Sequence, residues 1–107
     1  MKFEKTFGDT VKKLREGNQY TLHQVAMELG IDTSMLGKIE KNNRKPTKQL
    51  IKRIAKFFDV SEKELTIAFL SDEVAYQVLS EEEVAQKILK VAEKKVKYMT
   101  DQKSTDK

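Results

Sequence analysis

The chain has 107 residues, with 21 basic and 17 acidic side chains, one histidine and no cysteine. That length suits one core with an appendage rather than two independent domains. The missing cysteines exclude disulfides and thiolate metal sites, and His23 alone makes no histidine cluster for a metal. No run of about 18 apolar residues is present to span a bilayer, and Met1-Lys2-Phe3-Glu4-Lys5 lacks the apolar stretch of a signal peptide. The expectation is a cytoplasmic protein without metal, cofactor or membrane partner.

Residues 1–69 carry 14 Lys and Arg against nine Asp and Glu, net +5, whereas residues 70–107 are net −1. A cationic surface gains affinity for polyanions by releasing their counterions. An excess of this size is shared by many soluble proteins, so charge alone names no partner.

With four glycines, one proline, no alternation of β-branched with polar residues, and apolar residues at three- and four-residue steps, the chain reads as all-α. The first helix is expected from Phe7 to Glu16, with Phe7, Val11 and Leu14 on one face and Gly17-Asn18 as its stop. Thr21 opens a second, which turns Leu22, Val25, Ala26 and Leu29 inward and ends at Gly30. Asp32 or Thr33 caps a third over Ser34 to Lys41, with Met35, Leu36 and Ile39 inside and Asn42-Asn43 as its stop. Past Pro46, Thr47 to Phe58 reads as a fourth, with Leu50, Ile51, Ile54, Ala55 and Phe58 on its apolar face.

Ser61 and Glu64 form a capping box for a fifth helix, which buries Leu65, Phe69 and either Ile67 or Ala68. Ser71 then restarts a short helix to about Leu79. Ser80 and Glu83 form a second capping box, opening a long amphipathic helix from Glu81 to about Met99. Val84, Ile88, Ala92, Val96 and Met99 make its apolar stripe, with Ala85, Leu89 and Val91 beside it. The polar tail, residues 100–107, reads as disordered. The expected organisation is a domain over residues 1–69, a helical extension over residues 70–99, and the tail.

The stretch from Thr21 to Lys41 is the most informative. Two short helices meeting at a large angle need a small residue where they approach, here Ala26, and a residue tolerating positive φ at the turn, here Gly30. The wider run adds Leu14-Arg15, Thr-Leu-x-x-Val-Ala-x-x-Leu-Gly-Ile from Thr21, and Leu-x-Lys-Ile-Glu-Lys-Asn from Leu36. Arg44, Pro46, Ile54-Ala55-x-Phe-Phe and Val60-Ser61-x-x-Glu64-Leu65 complete it. Together these resemble the Cro/repressor-type, XRE-like helix-turn-helix family, over a little more than half of the chain.

The resemblance implies a five-helix, lambda-repressor-like DNA-binding domain followed by a helical extension that ends in the long amphipathic helix. It implies that Thr33, Ser34 and Lys38 face DNA bases, and that Asn43, Arg44 and Lys45 contact phosphate, joined by His23 and Gln24 at the start of the second helix. It makes Arg15 and Glu40 a structural ion pair. The sequence departs from the pattern at Leu22, where many members carry a phosphate-binding Gln, and at Asn42, where Gly is usual.

One recognition helix reads only a few base pairs, so two copies on one DNA face are expected. Phe69, Leu70, Val74, Val78, Leu79, Val84, Ile88 and Ala92 are the residues expected to form that homodimer interface. Short chains of this kind resemble restriction-modification controllers, phage repressors and DNA-binding antitoxins, and the run from Val84 to Tyr98 inclines the reading toward controllers. No effector domain is expected, hence no small-molecule effector. The alternative is a protein-interaction module, such as an antitoxin that sequesters a partner through its C-terminal helices. An enzyme is disfavoured, because His23 has neither a cysteine nor a carboxylate placed beside it by any motif.

Overall fold

The structure is a computed structural model and describes residues 6–105. It contains six α-helices and, among the described residues, no strand. These are α1 (Phe7–Gly17), α2 (Leu22–Leu29), α3 (Thr33–Glu40), α4 (Lys48–Phe58), α5 (Glu62–Leu79) and α6 (Ala85–Thr105), with a 3-10 turn at Glu82–Val84. They fall into two compact units, one through Glu73 and one from Val74 onward.

In the first unit the helix ends are where local chemistry places them. Hydroxyls of Thr6, Thr21, Thr47 and Ser61 accept from the backbone N–H three residues on, at 3.1, 3.1, 3.1 and 3.2 Å. Each supplies one of the acceptors that the first helical turn lacks. Asp32 holds the corresponding position of α3 without a side-chain bond. Gly30, Asn42 and Asp59 end α2, α3 and α4 in the left-handed region, at φ of 71°, 63° and 54°. Such residues release the chain from the helix while its last carbonyls remain bonded.

Val11, Val25, Leu36, Ile54 and Leu65, one from each of five helices, are fully buried at the centre of the core. Each such side chain stabilises the fold by about 1.5–3 kcal/mol, which is how helices of only eight residues hold their positions. Phe7 packs edge-on against Phe69, ring centroids 5.6 Å apart. Asp72 Oδ2 accepts from the Phe7 backbone N–H at 2.7 Å, so α5 satisfies an open donor of α1 from 65 residues away.

Three boundaries differ from the sequence reading. The fifth helix does not end near Phe69 and restart at Ser71: α5 runs unbroken for 18 residues. Nothing between Phe69 and Val74 breaks a helix, and the Ser71 hydroxyl donates to the Ala68 carbonyl at 3.1 Å instead of capping a new one. The box expected of Ser80 and Glu83 does not form. The chain makes a three-residue 3-10 turn there, with no side-chain cap bond, and α6 starts only at Ala85. The third difference is the tail, where α6 continues through Thr105. Its residues are polar but include no breaker, and the Thr100 hydroxyl bonds back to the Val96 carbonyl at 2.8 Å. Residues 106–107 lie outside the described residues.

In the second unit, Val78 is buried and Ile88 half-buried, while the rest of the α6 stripe lies open to solvent. Among the described residues, no helix is long and apolar enough to cross a membrane.

Candidate nucleic-acid interface

α2 and α3 form the angled pair. Ala26, 1% exposed, lets the two helices approach, and Gly30 turns the chain between them. The Ile31 N–H returns to the Ala26 carbonyl at 3.0 Å, closing the end of α2. Arg53 Nη1 from α4 donates to the Leu29 carbonyl at 3.2 Å, satisfying another of its terminal acceptors. α3 is then anchored from below by Leu36 and Ile39, both buried.

Its lower end is fixed to α1 by charge. Arg15 Nε donates to Glu40 Oε2 at 2.8 Å and Arg15 Nη2 to Glu40 Oε1 at 3.0 Å, a two-point fork, while Nη1 donates to the Tyr20 carbonyl at 3.0 Å. Glu40 sits at the C-terminus of α3, where the helix dipole disfavours a negative charge, so the guanidinium offsets both dipole and burial. The same hydrogen bond and charge hold the Arg15 guanidinium above its ordinary pKa, against the opposing effect of burial.

A second attachment escaped the sequence reading. Asn42 Oδ1 accepts from the Gly8 N–H at 3.0 Å, and Asn42 Nδ2 donates to Thr6 Oγ1 at 2.9 Å. Gly8 lies so close under α3 that a Cβ there would overlap the Glu40 carbonyl and come within 2.7 Å of the Ile39 carbonyl. The sequence showed Gly8 only as an ordinary residue at the start of a helix, with no signal of that approach.

Above these anchors, α3 turns its polar side outward. Ser34 and Lys38, one turn apart, are exposed, and Thr33 is half-buried at the first helical position. Thr33 Oγ1 lies 3.3 Å from His23 Nδ1 on α2. Gln24 has a structural role of its own: its Oε1 accepts from the Thr21 N–H at 2.8 Å, leaving the amide NH2 for other partners. Leu22 is half-buried beside Gly37, whose missing Cβ would meet only the Leu22 side chain, at 4.0 Å. The protein itself does not require glycine there.

The loop after α3 presents Asn43, Arg44 and Lys45 to solvent, held by the Asn43 N–H on the Lys38 carbonyl at 2.8 Å and by buried Pro46. Lys45 Nζ lies 3.1 Å from Glu73 Oε1 on α5. Among the described residues no group of acidic or histidine side chains could hold a metal ion.

A family model described as Helix-turn-helix matches residues 11–65, half of the chain, from the middle of α1 into α5. The chain belongs to the Cro/repressor-type, XRE-like helix-turn-helix family. No curated protein and no solved structure matches it with significance. Membership makes the matched helices a DNA-binding regulatory domain, with α2 and α3 as its helix-turn-helix. The solvent-facing side of α3 is thereby the candidate reading surface of a helix-turn-helix protein.

Proposed function

We propose that the chain is a sequence-specific transcriptional regulator that binds double-stranded DNA as a homodimer, with one α3 in the major groove at each half of a two-fold operator. The observation that carries this reading is the outward polar side of α3 in a chain of this family. Lys38 donates to guanine O6 and N7, and Thr33 and Ser34 bond base edges near the helix N-terminus. Asn43, Arg44, Lys45, His23 and Gln24 meet backbone phosphates.

The dimer rests on apolar exposure. Nine large apolar or aromatic side chains of the second unit, from Val74 to Met99, are exposed, a density that single scattered surface residues do not reach. A second copy is the occupant that would also present two recognition helices about 34 Å apart. Of the residues expected at that interface, Phe69 and Val78 are already drawn into packing within the chain. Leu79, Val84 and Ala92 remain exposed, as do Leu70 and Val74.

Selection from random duplexes followed by fluorescence anisotropy tests the DNA reading. Lys38→Ala should cost about 1–3 kcal/mol on the selected site and relax one base position, whereas Arg44→Ala should weaken all sequences alike. Equal losses on selected and random duplex for Lys38→Ala would overturn its base-reading role. Sedimentation equilibrium tests the pairing: the full chain should be dimeric at micromolar concentration and Leu79→Glu with Val84→Asp monomeric. A wild-type monomer would reassign those apolar residues to a different protein partner.

A further inference from the structure

His23 carries more than the phosphate contact that its position suggests. Its Nδ1 lies 3.3 Å from Thr33 Oγ1, and this pair joins the exposed starts of α2 and α3. A hydroxyl has one hydrogen to give, and a neutral imidazole has one nitrogen that donates and one that accepts. The state of one partner therefore fixes what the other can offer outward.

We propose that His23 is a positioning residue that sets the hydrogen-bond polarity of Thr33, and so which class of base Thr33 accepts; this rests on the DNA reading above. Only Nε2 of His23 is left to face the DNA backbone, because Nδ1 is turned to Thr33. Phosphate oxygens only accept, so in the neutral imidazole Nε2 carries the proton and Nδ1 is the acceptor. The Thr33 hydroxyl then donates to Nδ1, and its lone pairs face the groove. In the major groove, a hydroxyl that can only accept matches the amino groups of adenine N6 or cytosine N4 and not guanine O6 or thymine O4. Leu22, the neighbour of His23, has no polar atom with which to compete for Thr33.

The chain's single histidine makes the pairing directly observable. Long-range proton–nitrogen NMR of the full chain bound to its selected duplex should show a proton on Nε2 and none on Nδ1. The Nδ1 shift should move in Thr33→Val. On DNA, the wild type should select adenine or cytosine opposite Thr33. His23→Ala should reduce the preference at that position at least about fivefold. His23→Lys, which can only donate, should move the preference toward guanine or thymine. An Nδ1 that carries the proton, or is indifferent to Thr33→Val, overturns the proposal. So does a selected site whose base preference is unaltered in both His23 variants, and in that case the DNA reading stands. If the wild type selects no sequence at all, the DNA reading falls and this inference with it.

Discussion

Removing Arg15 tests how α3 is held. Glu40 is 5% exposed in its side chain and, among the described residues, has the Arg15 fork as its charged partner. Arg15→Ala leaves that carboxylate buried at the negative end of α3. Breaking a buried pair in this way costs about 3–5 kcal/mol. A domain of this size has a total stability on the order of 5 kcal/mol, so the variant should be largely unfolded or melt near room temperature. Glu40→Ala is milder, at about 2–3 kcal/mol, because Arg15 keeps the Tyr20 carbonyl and its side chain is 12% exposed. Arg15→Met with Glu40→Leu should lie within about 1 kcal/mol of wild type, since apolar replacement leaves no orphaned charge. Urea denaturation followed by helical circular dichroism measures all three. A loss below about 1 kcal/mol for Arg15→Ala, or a double variant as unstable as Arg15→Ala alone, would refute the reasoning.

The other predictions concern close approach and the basic loop. Gly8→Ala should destabilise the fold by about 1–3 kcal/mol or more, by forcing α1 away from the end of α3, and a thermal melt reads this directly. Gly37→Ala should instead raise stability by about 0.5–1 kcal/mol, because a methyl fits there and the helix gains propensity. Should DNA backbone approach Gly37 closely, the same variant will bind its operator more weakly while melting higher. Glu73→Gln should leave stability within about 0.5 kcal/mol, as exposed ion pairs do. Freed of Glu73, Lys45 should raise affinity for random duplex roughly two- to threefold at low salt, seen as a steeper salt dependence.

The sequence by itself determined the elements that depend on neighbours within a turn or two. Thr21 caps α2, Gly30 and Asn42 take the left-handed turns that end α2 and α3, and the spacing of Val25, Leu29, Leu36 and Ile39 defines the core face of the motif. The Arg15–Glu40 fork was implied by family resemblance, since 25 residues of separation carry no local signal. Serine caps were legible only in part. A Ser hydroxyl serves equally a backbone N–H ahead of it or a carbonyl behind it, so Ser61 caps α5 while Ser71 lies within it.

What only the tertiary structure decided are the contacts between groups brought together by packing. Asp72 meets the start of α1, Gly8 makes room for the end of α3, and His23 reaches Thr33. None of these follows from periodicity or composition, because each depends on the angle and distance at which two helices cross. That geometry is fixed by the joint packing of Phe7, Leu36, Ile39 and their neighbours, not by any one segment.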